Sequence, residues 1–408
     1  MHSQTGSKQL VNSVVLFGSV QKTFTKAISL LEQATRKDPH FALAYCMIAE
    51  AHDTLYDARI DHTPERRALG DAAVNEAVRL RPDLSEVHLA LALHLYTCYR
   101  DFERARVQIA IAAQALPNSP DLLQLTAAID QVQGNWEKAT VNLERAATLD
   151  PRNPDVLSAL ADNYGCLRRY RDNQRILDRL IELEPDQPKF PLDKARFSFY
   201  ETADLGGARA AYEEVRPSIK DDLEVTAWRV YLAMCARDFA AAEEILSKTS
   251  NEKVRFLGAF VPRRIWVLWL ELVQGNHPTI EQFGAAREEL YQKVEADPTD
   301  PFLLASLALA DVALGRREEA IQEGRRAMGM RPVTEDAVEG PIIAMKVALV
   351  DVWANQSDLA FEKLNIMIKV PRPSVCLNYG DLKTDPEWDP LRKDPRFDKL
   401  LAQLAPQD

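Results

Sequence analysis

Residues 147–165 read ATLDPRNPDVLSALADNYG, the end of one amphipathic helix followed by the start of another. Asp150 and Pro151 stand at the junction, and Pro154 follows three residues later. Proline lacks an N–H and clashes with the preceding turn when it lies inside a helix, and Asp before it favours a turn. The stretch therefore predicts that one helix stops, the chain turns, and a second helix begins.

The prolines that end such helices recur at a fixed interval. Pro117, Pro151 and Pro185 stand 34 residues apart, and the same interval separates Pro298 from Pro332. An apolar residue stands eight positions before most of these prolines, and an alanine often stands five positions before them. Their spacings of three and four residues place these side chains on one helix face. The interval predicts an internal repeat whose unit is helix, turn, helix. Four of the prolines follow an alanine by twelve residues, namely Ala105, Ala139, Ala286 and Ala320.

This pattern resembles the tetratricopeptide repeat (TPR), in which alanine, a bulky apolar residue and proline recur at set positions of a 34-residue unit. The best-matching units are 120–153, 154–187 and 301–334. The resemblance implies an all-α, right-handed superhelical solenoid of about ten helix-turn-helix units. We expect this array to span residues 1–373, with residues 1–7 disordered and 188–300 built from degenerate repeats.

The C-terminal segment, residues 374–408, is rich in Asp-Pro. Its sequence LKTDPEWDPLRKDPRFDKLLAQL, residues 382–404, resembles the ending of bacterial TPR arrays that follow a kinase, nucleotide-cyclase or winged-helix domain. The resemblance implies a role in bacterial signalling or regulation, although residues 1–19 are too few to form such a domain. We expect the segment to cap the last hydrophobic face of the array. Its capping side chains would be Trp388, Leu391, Phe397, Leu400 and Leu401.

The charge balance argues against nucleic acid as a partner. The 408 residues carry 50 Lys plus Arg against 61 Asp plus Glu, a net charge of −11. A broad phosphate-binding surface would need the opposite sign. An RNA-binding helical-repeat protein remains an alternative, but it would favour a 35-residue spacing and a basic groove.

Cysteine usage and hydropathy bear on the compartment. The five cysteines are far apart and never form a C-x-x-C pair, which predicts reduced, buried thiols in a reducing compartment. No stretch approaches the ~18 apolar residues of a membrane span. We therefore expect a cytoplasmic protein without membrane association.

Sequence motifs of catalysis are missing. The chain has no H-E-x-x-H, G-x-x-x-x-G-K-[ST], G-x-S-x-G or G-x-G-x-x-G, so no catalytic, cofactor-binding or metal-binding residue is assigned and no enzyme is expected. One alternative is an enzyme or metal-binding protein that uses HDTLYDARIDH, residues 52–62, which lies in an insertion expected to form a solvated acidic loop. His88 and His94 are six residues apart and are expected to be core or groove histidines.

The TPR resemblance also implies a partner-binding groove lined by the first helix of each repeat. In this chain the groove would be acidic and partly apolar, which favours a peptide or partner protein with basic residues. The sequence leaves open an equally simple interpretation, a solvated face of an acidic protein. The groove residues are expected to be Glu50, Asp53, Glu86, Leu93, Tyr96, Asp121, Gln124, Gln131, Asp155 and Asp162.

Overall fold

The computed structural model describes residues 17–256, 258–371 and 377–406. The protein is an all-α helical-repeat protein of the solenoid class. This confirms the predicted all-α fold class. The expected disorder of residues 1–7 lies outside the described residues. The helices are α1 Phe17–Lys37, α2 Ala42–Asp57, α3 Pro64–Leu80, α4 Ser85–His94, α5 Phe102–Ala112, α6 Pro120–Val132, α7 Trp136–Leu149, α8 Pro154–Cys166, α9 Tyr170–Leu183, α10 Lys189–Thr202, α11 Leu205–Glu213, α12 Leu223–Cys235, α13 Phe239–Lys248, α14 Arg263–Val273, α15 Ile280–Ala296, α16 Pro301–Ala313, α17 Arg317–Met330, α18 Gly340–Trp353, α19 Ser357–Met367, α20 Tyr379–Thr384 and α21 Pro395–Leu404.

The helices pair in the register that the 34-residue interval predicts. The three best-matching units correspond to the hairpins α6/α7, α8/α9 and α16/α17. Asp300 and Pro301 show how an Asp-Pro pair starts a helix. The Asp300 carboxylate accepts hydrogen bonds from the backbone N–H groups of Phe302 and Leu303, and Pro301 occupies the first helical position. The four repeat alanines are all buried, which lets the helices of a pair approach closely: Ala105, Ala139, Ala286 and Ala320.

The degenerate section keeps three helix pairs but adds a feature that the repeat pattern did not predict. A two-stranded antiparallel hairpin, β1 Lys253–Phe256 and β2 Ala259–Pro262, is inserted between α13 and α14. Gly258 takes a left-handed φ of +90° at the turn, and a Cβ there would lie 2.8 Å from the Phe302 ring. Glycine is therefore required at this position.

The described residues form two compact units, one made of residues 17–131 with 135–163 and the other of residues 132–134 with the described residues from 164 onward. In the first unit, α2 packs against α1, α3 and α4. In the second unit, the turn before α9 contacts the end of α19, because Arg168 Nη1 donates to the backbone oxygen of Ile368 at 3.1 Å. The predicted single array over residues 1–373 stays a prediction.

Four cysteines within the described part of the chain are buried free thiols: Cys46, Cys98, Cys166 and Cys235. None of the helices described is both long and apolar enough to cross a membrane.

Candidate partner-binding surface

The ten groove residues predicted from the sequence lie on α2, α4, α6, α8 and the turn after α4, but they differ in exposure. Glu86 is exposed, and Glu50, Tyr96, Asp121 and Asp155 are partly exposed. The remaining five are buried, which leaves them little surface to offer a partner: Asp53, Leu93, Gln124, Gln131 and Asp162. That the ten residues bind a partner stays a prediction.

On α2 and α4, the accessible part of this face combines apolar with acidic side chains. Leu43 and Met47 on α2 are 40% and 48% exposed although both are large and apolar. Glu50 follows Met47 by three residues and so shares its helix face. Glu86 lies on α4, which packs against α2. Burial, and then the charges of Glu50 and Glu86, raise the pKa of Cys46 on α2 to about 12. We call Leu43, Met47, Glu50 and Glu86 the α2–α4 surface.

The 52–62 cluster does not form the solvated loop that the sequence predicted. Residues 52–57 continue α2, so only residues 58–63 connect α2 to α3. Arg66 Nη1 lies 2.9 Å from His52 Nδ1, and burial followed by the charge of Arg66 lowers the pKa of His52 to about 4. His62 stacks on the Tyr56 ring at 3.9 Å between centroids. The two histidines therefore have separate structural partners.

Asp53 instead belongs to a buried polar cluster that no sequence spacing indicated. His94, 41 residues away, places Nδ1 2.7 Å from Asp53 Oδ1 and Nε2 2.9 Å from Asp71 Oδ1. Cys98 donates its thiol hydrogen to Asp53 Oδ1 at 3.2 Å. Burial alone would lower the pKa of His94, but hydrogen bonds to the two carboxylates and their charges outweigh it and raise that pKa. We call Asp53, His94 and Cys98 the Asp53–His94–Cys98 cluster.

In the second unit, the first helices of the pairs contact the C-terminal segment of the chain itself. Tyr231 on α12 donates to Asp381 Oδ1 at 2.7 Å, and Trp269 on α14 donates its ring N–H to Glu387. Trp353 on α18 donates to the backbone oxygen of Glu387 at 3.1 Å. The apolar side chains expected to cap the array are buried here, except for the partly exposed Leu401: Trp388, Leu391, Phe397 and Leu400. Capping itself stays a prediction.

Three carboxyl groups of this segment are buried together. Burial raises the pKa of Asp381 to about 7 and that of Asp385 to about 6. Burial and the adjacent Asp385 charge hold the pKa of Glu387 well above its ordinary value. The C-terminal segment therefore docks most favourably when these groups carry protons.

Gly380 lies very close to the backbone of α10. A Cβ at this residue would lie 2.1 Å from the backbone oxygen of Phe199, and backbone cannot yield as a flexible side chain does. We expect Gly380→Ala to lower the free energy of unfolding by about 1–3 kcal/mol, as overpacking does. Urea unfolding measures this change.

Gly329→Ala is the matched control for this substitution. Gly329 lies in α17, and a Cβ there would meet nothing within 4 Å. The control should be neutral or slightly stabilising, because alanine favours a helix over glycine by about 0.5–1 kcal/mol. Equal stability of the two variants would contradict the close docking of Gly380.

No protein-family model matches the chain, and none of the curated proteins shows significant sequence similarity to it. Among solved structures, Pseudomonas aeruginosa PilF aligns at 17% identity and a TM-score of 0.36, over 49% of this chain and 89% of PilF. The human IFIT1 dimer with PPP-AAAA aligns at 16% identity and a TM-score of 0.47, over 76% of this chain and 69% of IFIT1. PilW, a widely conserved type IV pilus biogenesis factor, aligns at 16% identity and a TM-score of 0.36, over 60% of this chain and all of PilW. All three are TPR-type helical-repeat proteins, and likeness at this level assigns no function.

Proposed function

We propose that this protein is a non-catalytic interaction scaffold that binds a basic, amphipathic segment of a partner protein at the α2–α4 surface. The observation that carries the proposal is the exposure of Leu43 and Met47 on α2, together with the carboxylates of Glu50 on α2 and Glu86 on the adjoining α4. Exposed apolar side chains are individually common, but grouped apolar residues with a charged rim are typical of binding sites. Glu50 and Glu86 would select Lys or Arg in the partner.

The second unit supports this proposal by analogy within the same chain. Its first helices hold the C-terminal segment through aromatic N–H and O–H donors and buried apolar side chains, and the turn after α12 adds an ion pair. In that pair Arg237 Nη2 donates to Asp389 Oδ1 at 2.8 Å. The first-helix face of a repeat is thus able to bind a segment of chain, with the sign of the charges matched to the occupant.

The wider setting is part of the proposal. A cytoplasmic location agrees with the four buried free thiols. A place in bacterial signalling or regulation rests on the resemblance of residues 382–404 to the endings of such proteins.

Selection from a displayed library of short random peptides tests the specificity. The wild-type chain should enrich peptides in which Lys or Arg flank apolar residues at helical spacing. The double variant Glu50→Lys, Glu86→Lys should bind the selected peptides about tenfold more weakly or worse, because two attractive charges become repulsive.

The matched control is Glu32→Lys, Glu144→Lys, which makes the same change in net charge at exposed positions on α1 and α7. It should bind the selected peptides as the wild type does. Equal loss in both double variants would show a net-charge effect only, and enrichment of acidic peptides would refute the proposal. Binding of single-stranded RNA that survives physiological salt would favour the RNA-binding alternative instead.

A further inference from the structure

We propose that the Asp53–His94–Cys98 cluster is a binding site for a zinc-type divalent metal ion. The ligand atoms of the three residues all lie within 4.8 Å of one another, and all three residues are buried. They come from α2, α4 and the turn that follows α4 in the first unit. The inference is independent of the α2–α4 surface.

One polar atom of the cluster is left without a protein partner. Asp53 is 1% exposed, and its Oδ2 has no hydrogen bond, although Oδ1 is hydrogen-bonded by both His94 and Cys98. A buried carboxylate oxygen without a partner is costly, so it calls for a specific explanation. A cation bound between Asp53, His94 and Cys98 supplies one when both carboxylate oxygens of Asp53 ligate it.

The local backbone is shaped to bring these side chains together. Residues Leu95–Tyr99 form a π-helical turn, a geometry that often marks functional sites, and Cys98 lies within it. Gly70 on α3 provides the space, because a Cβ there would lie 2.8 Å from Asp53 Oδ1 and 3.2 Å from His94 Cε1. A side chain on α3 at this point would push the cluster apart.

The chemistry of the donors points to zinc rather than to calcium or magnesium. One thiolate, one imidazole and one carboxylate match the mixed ligands that zinc accepts, whereas calcium and magnesium prefer oxygen alone. His94 uses Nδ1 toward the cluster while Nε2 hydrogen-bonds Asp71, and Tyr99 donates to both oxygens of Asp71 at 2.8 Å. A carboxylate behind a ligating histidine is the usual arrangement that orients the ring, so Asp71 is a positioning residue.

Metal entry exchanges protons for the ion. The Cys98 thiol gives up its hydrogen to become the thiolate ligand, and His94 gives up the Nδ1 proton that it shares with Asp53. Both protons pass to solvent, so one divalent ion replaces two protons and no oxidation occurs. A tetrahedral zinc site needs about 3.4 Å between a nitrogen and an oxygen ligand, so His94 Nδ1 and Asp53 Oδ1 must separate by about 0.7 Å.

Titration of the full-length, chelator-treated chain with Co²⁺ tests the proposal, since a cobalt–thiolate bond gives a charge-transfer absorption band. We expect one Co²⁺ per chain, with the band lost on addition of Zn²⁺. Cys98→Ala should abolish the band. Asp71→Ala should keep it but weaken the affinity about 10- to 100-fold, as loss of a supporting hydrogen bond to a ligating histidine does.

Cys46→Ala is the matched control, because Cys46 is the other buried cysteine of the first unit and has two carboxylates nearby. It should keep the band. Absence of the band in the wild type, its survival in Cys98→Ala, or its loss in Cys46→Ala would overturn the proposal. Circular dichroism shows whether each variant folds, and if Cys98→Ala does not, Asp53→Asn takes its place and should weaken Co²⁺ binding at least tenfold.

Discussion

Replacing Trp388 by alanine is expected to lower the free energy of unfolding by about 3–5 kcal/mol. The indole is fully buried, and the turn that carries it, Pro386–Leu391, packs against α18. Removal of so large a side chain leaves a cavity that the surrounding helices cannot fill. Urea unfolding measures the change, and Lys393→Ala, at an exposed residue of the same segment, should alter stability by less than about 0.5 kcal/mol.

A thiol assay separates local undocking of the C-terminal segment from global unfolding. Cys235 on α12 is buried, and the charges of Asp385 and Asp381 affect its pKa, so it lies beside the segment. In a chain that also carries Cys376→Ser, Trp388→Ala should make one thiol reactive at urea concentrations well below the unfolding midpoint. Adding Cys235→Ala to this chain should abolish that reaction. Simultaneous exposure of all the buried thiols would contradict local docking.

The stability of the second unit is expected to fall as the pH rises from about 4 to about 7. Burial raises the pKa of Asp381 from 3.8 to about 7, aided by the Asp385 charge and opposed by hydrogen bonds from Tyr231 and Asn378. The folded state therefore binds this proton more tightly than the unfolded chain does. The stability that this proton contributes is complete at pH values below the pKa of Asp381 in the unfolded chain. It is lost as the pH rises through the pKa of Asp381 in the folded state. For Asp381 the difference corresponds to about 4 kcal/mol.

The pH effect is measured by urea unfolding at several values between about pH 4 and about pH 8. Asp381→Asn should flatten the dependence, because an amide keeps an acceptor oxygen and does not titrate. It should also make the protein more stable than the wild type at the alkaline end. Asp389→Asn serves as the control, since the Asp389 side chain is exposed. Burial would raise the pKa of Asp389, but hydrogen bonds from Arg237 and Arg392 outweigh burial and lower it. A wild-type stability that rises with pH across this range would contradict the buried, protonated carboxyls.

The repeat register was predictable because it depends on local chemistry. Pro151 and the prolines at the same spacing cannot lie inside a helix, and Ala139 and its equivalents must be small where two helices touch. The β1–β2 hairpin was not predicted, although the apolar residues Val254, Phe256 and Val261 alternate with other residues in the sequence. The strands have only four residues each, and so short a pattern is not distinctive.

The candidate sites were less predictable than the helices. Glu50 and Glu86 were expected in the groove, and both are accessible, whereas Gln124, Gln131 and Asp162 were expected there too and are buried. Exposure depends on neighbouring helices that a position in the repeat does not specify. His94 was interpreted as a core or groove histidine, and its meeting with Asp53 and Cys98 follows from helix packing across 41 and 45 residues.

The sequence by itself determined where the helices begin and end and that they pair, because capping, proline geometry and apolar spacing act within a few residues. Tertiary structure alone decided that the C-terminal segment covers the first helices of the second unit, and that Asp53, His94 and Cys98 converge. Those contacts join residues far apart in the chain, such as Tyr231 and Asp381, 150 residues away. Their formation depends on burial and close packing between elements, which no local pattern encodes.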